Sequence, residues 1–220
     1  MHAIDLISYS IPPLLWSDTG EKALAWMSDF HVSHLPVVDN SKFAGILSED
    51  EILNFELHDL TIKEANPELR IEYVLKQNHL YDVLKLMVDR NLTSVPVLDE
   101  DFVYLGLITQ DKMLKFFSDS IALSHPGAVL VIAIHPRDYS LSEISRLIEL
   151  ENAKIISCFI SSVPGTEEME LTIKLSRQDI QHIKATLNRF GYQIKSSAFE
   201  EQQNDDLMDR YNMFMKYLNI

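Results

Sequence analysis

His34-Leu-Pro-Val-Val-Asp39, a polar turn, and then Gly45-Ile-Leu-Ser48 form the stretch on which the reading of this chain turns. Sixty residues on, the first part returns as Ser94-Val-Pro-Val-Leu-Asp99. Sixty-one residues on, the second returns as Gly106-Leu-Ile-Thr109. The one-residue difference falls in the turn, where an insertion costs little. The match extends outward on both sides. Ala23-Leu24 and Met27 answer to Val83-Leu84 and Met87, and Ile52-Leu53 and Phe55 answer to Met113-Leu114 and Phe116. The first half of the chain is therefore one supersecondary unit written twice.

Each copy has the same physical reading. Ala23, Met27 and Phe30 share one helical face, as do Leu80, Val83, Leu84, Met87 and Val88 in the second copy. Asp18 with Glu21, and Asn78 ahead of Leu80, are the expected caps of those helices. Pro36 and Pro96 are expected to open short strands, where a missing N–H is harmless. The runs from Gly45 and Gly106 are the return strands, and Ser48 and Thr109 cap a second helix. The unit is helix, hairpin, helix, preceded by a short extended segment around Ile11 to Leu15 or Tyr73 to Leu75.

This duplicated pattern closely resembles the tandem CBS domain, or Bateman module, across about residues 1–120, with repeats at 1–58 and 59–120. The resemblance implies two repeats packed sheet to sheet about a pseudo-twofold axis, leaving two clefts that often hold adenosine nucleotides. It further implies that a Ser or Thr, with a carboxylate three residues later, meets the ligand at the start of the second helix. The hydroxyl lies near phosphate or ribose, and the carboxylate takes the ribose hydroxyls. The matching positions here are Ser48 with Glu51, and Thr109 with Lys112; Pro36 and Pro96 complete the candidate clefts. Ser48-x-x-Glu51 is equally a capping box that needs no ligand, and Thr109 caps as well alone. Lys42 and Lys76 are the nearest phosphate partners by sequence.

After Ser118 the pattern breaks. Residues 127–199 read as strand, helix, strand, strand, helix, strand, the split βαβ order. Ser140 and Glu143 have capping-box spacing, Val163-Pro-Gly-Thr166 signals a hairpin, and Gly191 ends the second helix. Behind two CBS copies this order resembles an ACT domain, a small amino-acid-sensing module. The whole arrangement is similar to acetoin-utilisation proteins of the AcuB type. The turn where such domains meet ligands is His135-Pro-Arg-Asp-Tyr139, which holds no glycine. The tail, 200–220, spaces Leu207, Tyr211, Phe214 and Leu218 as an amphipathic helix, docking in cis or across a dimer. The expected fold class is α+β: a CBS pair, a ferredoxin-like ACT-like domain and a C-terminal helix.

Composition narrows the function. With 33 acidic against 19 basic residues the net charge is −14, which repels a nucleic-acid backbone. The single Cys158 makes neither an intrachain disulfide nor a cysteine metal site, and the histidines scatter. No Ser-His-Asp order, glycine-rich phosphate loop or HExxH pattern occurs. The start carries no secretory signal, and the longest apolar run, Ala128 to Ile134, is too short to cross a bilayer. These features point to a cytoplasmic, homodimeric regulatory protein rather than an enzyme, with no membrane or nucleic-acid partner. It would require no cofactor, sense AMP, ATP or S-adenosylmethionine, and relay the signal to an unknown regulated protein. The alternative is a scaffold whose clefts bind nothing.

Overall fold

The computed structural model describes residues 1–54, 59–120 and 125–197, which fall into two compact units, Met1–Phe116 and Phe117–Ile220. The C-terminal helix expected over 200–220 lies outside the described residues.

In the first unit each repeat builds the same small sheet. Repeat 1 comprises β1 (Leu14–Leu15), α1 (Gly20–Asp29), β2 (His34–Asp39), β3 (Lys42–Ser48) and α2 (Glu49–Asn54). A short helix α3 (Ile62–Ala65) leads on to the second set. Repeat 2 comprises β4 (Val74–Leu75), α4 (Leu80–Arg90), β5 (Ser94–Leu98), β6 (Tyr104–Thr109) and α5 (Gln110–Ser120). The sheet orders are β1-β2-β3 and β4-β5-β6, with the short strand parallel to the central one and the hairpin antiparallel. Both hairpins carry an irregularity at the same place, between Val37 and Val38 and between Val97 and Leu98.

The helix starts differ from expectation by one residue. Thr19 Oγ1 accepts the Lys22 N–H at 3.3 Å, and His79 Nδ1 accepts the Tyr81 N–H at 3.3 Å, so these residues are the N-caps. Asp18 and Asn78 instead close the turn after the short strand. Asp18 Oδ2 accepts from Leu15 N at 2.8 Å and Asn78 Oδ1 from Leu75 N at 2.7 Å. A short oxygen-bearing side chain can serve either turn, and the chain reversal takes it here. The prolines also shift. Pro36 and Pro96 are the third residues of central strands, and both are buried. They do no harm because β1 and β4 begin one residue further on, opposite Val37 and Val97.

The two repeats complete each other by exchanging segments. The stretch before repeat 2 lies along β3 of repeat 1: Ile46 N–H donates to Arg70 O at 2.8 Å and Arg70 N–H to Ile46 O at 3.2 Å. The stretch before repeat 1 lies along β6 of repeat 2, where Ser8 N–H donates to Leu107 O at 2.8 Å. This crossing explains the repeated glycine. A Cβ at Gly45 would overlap Leu69, and one at Gly106 would overlap Ile7; φ is +152° and +156°, where side chains are strained. Side chains between the repeats add polar ties. Ser33 N–H donates to Thr93 Oγ1 at 2.8 Å, and Ser94 Oγ donates to His34 O at 2.6 Å.

The second unit runs β7 (Val129–Ile134), α6 (Leu141–Leu150), β8 (Ile155–Ser162), β9 (Met169–Leu175), α7 (Gln181–Arg189) and β10 (Gln193–Ser197). Its antiparallel sheet has the order β10-β7-β9-β8, the ferredoxin-like arrangement. Leu130, Ile132 and Ile134 of β7 pack with Ile144, Leu147 and Ile148 of α6 and Ile183 and Leu187 of α7 in one core. Alternation along β7 puts those three residues on one face. Only half of the expected capping box forms. Ser140 Oγ accepts from Glu143 N at 3.4 Å, but the Glu143 carboxylate accepts from the Tyr192 hydroxyl at 3.1 Å.

Candidate functional site

A cleft of about 680 Å³ opens beside the start of α2. It is lined by Glu51 together with Asn66, Pro67, Glu68, Leu69 and Arg70 from the stretch between α3 and β4. Its walls come from both repeats, because residues 69–70 are part of the exchanged segment. Ser48 ends β3 and is buried, with 8% of its surface exposed. Ser48 N–H donates to Glu51 Oε2 at 2.7 Å and Glu51 N–H donates to Ser48 Oγ at 3.2 Å, so the capping box is complete. That geometry holds the Glu51 carboxylate at the cleft.

The second repeat has the same backbone and different chemistry. Thr109 ends β6, is buried, and accepts from Lys112 N at 3.2 Å through Oγ1. Lys112 is exposed and cannot return the bond, since an ammonium only donates. Acidic residues in the first turn are Glu49, Asp50 and Glu51 in α2, but Asp111 alone in α5.

Other residues singled out in the sequence are elsewhere. Pro36 and Pro96 pair with Ile46 and Leu107 inside their sheets and do not line the first cleft. Lys42 is at the opposite end of β3 from Ser48, roughly 20 Å away at the rise of an extended strand. Lys76 Nζ is held by Glu100 at 2.6 Å, which raises the pKa of the lysine and lowers that of the glutamate. Neither lysine is among the described residues that line the first cleft. His31 and His34 part company, His31 in a left-handed turn and His34 between the repeats. Among the described residues no cluster of three His, Cys, Asp or Glu side chains is placed to hold a metal.

Two cleft groups escaped the sequence reading, Glu68 and Arg70. Nothing in the repeat pattern marks them, since they lie in the connection between copies. Arg70 is unusual: its Nε and Nη2 are buried and have no hydrogen-bond partner among the described residues. It acts on His34, whose pKa is lowered by burial and then by the Arg70 charge, against the opposing pull of Glu51, Asp50 and Glu49. His34 Nδ1 lies 3.1 Å from Thr93 Oγ1 and accepts from Thr93 N at 3.3 Å, which a neutral ring satisfies. Tyr104 is another buried polar group without a partner at its hydroxyl, and burial pushes its pKa up.

The second unit has a cleft of its own, about 490 Å³, lined among others by Ile134, His135, Asp138, Glu143, Phe190 and Tyr192. His135 Nδ1 accepts from Arg137 N at 3.3 Å and its Nε2 is 3.5 Å from Glu167. The His135 and Asp138 singled out in the turn thus do reach a cavity, joined there by Glu143 and Tyr192.

Comparison with known proteins places the first half in a family. The CBS domain model matches residues 17–58 and 68–119. An uncharacterized protein of Methanocaldococcus jannaschii is 32% identical over 91 residues, 40% of this chain and 30% of that one. The chain spans less than a third of the length of the curated relatives it matches. A CBS domain pair/ACT domain protein from Thermotoga maritima is similar in structure at 19% identity and a TM-score of 0.48. That match covers 55% of this chain and 99% of the other. An acetoin utilization protein, AcuB, from Vibrio cholerae matches at 23% identity and a TM-score of 0.48, over 56% and 95% of the two chains. Two complete copies in order, each with its glycine, its return strand and its capped second helix, show that this chain carries a tandem pair of CBS domains.

Proposed function

We propose that this chain is a regulatory, ligand-sensing protein whose CBS pair binds an adenosine-containing ligand. The observation that carries this reading is the first cleft: a capped carboxylate, Glu51, faces a wall supplied by the segment that leads into the other repeat. A carboxylate accepts from two ribose hydroxyls at once. A ligand seated there touches both repeats and so stabilises one placement of the exchanged segment over others. Ser48 and Glu51 serve the first cleft, Thr109 and Lys112 the second, and Pro36 and Pro96 hold the strands that aim them. The ferredoxin-like second unit, read as ACT-like, passes the change to a regulated protein, with the chain acting as a homodimer and carrying no catalytic residue.

Calorimetry with AMP, ATP and S-adenosylmethionine tests the reading. Saturable binding to at least one of them, weakened by Glu51→Ala, is the expected result. No heat with any of the three would sink it. The second reading, a scaffold with empty clefts, is favoured by one observation: Lys112 stands where a ribose carboxylate is needed. It predicts no binding and an unchanged partner complex in Glu51→Ala.

A further inference from the structure

The charge around the first cleft decides between the ligands it could take. Helix α2 opens on Glu49, Asp50 and Glu51, so the positive end of its dipole is already answered by three carboxylates. Glu49 is also tied to Ser33, whose Oγ donates to it at 2.9 Å. Among the described residues the lining adds Glu68 and one cation, Arg70. A nucleotide phosphate with two or more negative charges would sit against this surplus, on a chain of net charge −14. Arg70 Nε and Nη2 are nevertheless buried and have no acceptor among the described residues. The planar fork of a guanidinium matches one carboxylate in two parallel hydrogen bonds.

Resting on the adenosine-ligand reading above, we propose that the first cleft selects an adenosyl ligand bearing an amino-acid carboxylate and balancing positive charge, and rejects nucleotide phosphates. Glu51 takes the ribose hydroxyls through the oxygen not used in its bond to Ser48. A rotation of the Arg70 side chain presents its fork to the ligand carboxylate, and Glu68 faces the ammonium or sulfonium. The start of α5 is built the other way. Lys112 replaces Glu51, and Ser8 stands on β6 where Arg70 stands on β3.

The test is calorimetry on the full chain carrying Lys112→Ala, which removes the cation at the start of α5. The probes are S-adenosyl-L-methionine, 5′-methylthioadenosine, AMP and ATP. S-adenosyl-L-methionine should bind about tenfold tighter than AMP or ATP, and Arg70→Gln should weaken it by about tenfold. The same substitution should leave methylthioadenosine, which has no carboxylate, within about twofold. Arg70→Lys keeps the charge and loses the fork, so its effect should be intermediate; it carries the comparison if Arg70→Gln does not fold. Tighter binding of AMP or ATP, or an equal loss for both adenosyl probes in Arg70→Gln, overturns the proposal and leaves the adenosine-ligand reading standing. No heat with all four overturns both.

Discussion

Repeats 1 and 2 of the CBS pair agree wherever the backbone makes a demand and disagree wherever only a side chain is involved. Both have a glycine under the crossing segment, an irregularity one residue after the buried pair Val37 or Val97, and a hydroxyl capping the second helix. Three residues after that hydroxyl the agreement ends, with Glu51 in one and Lys112 in the other. The exchanged segments differ in the same way, Arg70 against Ser8. A duplicated fold is held together by positions where alternatives clash or leave a donor unpaired. Positions that meet no such demand are free to diverge, and their divergence gives the two helix starts separate chemistry.

The backbone side of this comparison can be broken most forcefully at the glycines. Gly45→Val and Gly106→Val should each cost about 3 kcal/mol or more in urea unfolding, through overlap with the crossing segment and strained φ. A cost below about 1 kcal/mol at either site would mean that its crossing segment is not seated there. Caps come next. Ser48→Ala and Thr109→Ala should each cost about 1 kcal/mol, read as a lowered melting temperature. Lys112→Glu should raise stability by a few tenths of a kcal/mol, about the worth of a favourable pair at a helix start, by building the missing box. If Lys112→Glu lowers it, the two helix starts are not equivalent.

The contact between repeats carries a pH dependence. The pKa of folded His34 lies below its ordinary value, so the unfolded chain binds the proton more readily. This contribution to stability is full above about pH 6.5 and is lost as the pH falls through the folded pKa. Urea midpoints followed from pH 8 to pH 5 should decline, and His34→Gln should flatten that part of the curve. An unchanged slope in His34→Gln would show that the carboxylates alone set it. The smallest effect is expected at Tyr104, whose buried hydroxyl lacks a partner. Tyr104→Phe should leave stability unchanged or raise it by up to about 1 kcal/mol. A clear loss in thermal melts would mean that the hydroxyl is satisfied in solution.

Much of this architecture was legible in the residues. Alternation and helical spacing identify the hairpins, α1, α4, α6 and α7, because burial of one face is a local pattern. The Ser48–Glu51 box was equally plain, since both partners lie within one turn. The caps were misplaced by one residue, because Asp18 and Asn78 suit two adjacent turns and only the closed chain reversal chooses between them. The prolines read as strand openers because the ladder around them depends on where β1 and β4 begin. Glu68 and Arg70 were not legible at all. They belong to a connection whose place on β3 is set by contacts between residues far apart in the chain.

The sequence alone determined that this protein is a doubled α+β unit followed by a ferredoxin-like one, and that its two repeats differ at Glu51 and Lys112. Periodicity and repetition are properties of short windows, so they survive without tertiary information. Only the tertiary structure decided that each repeat borrows a segment from the approach to the other. It alone brought Arg70 and Glu51 to one cleft, and it left Arg70 Nε and Nη2 without an acceptor among the described residues. Such facts depend on which distant segments share an edge, and packing of the whole unit is what selects that edge.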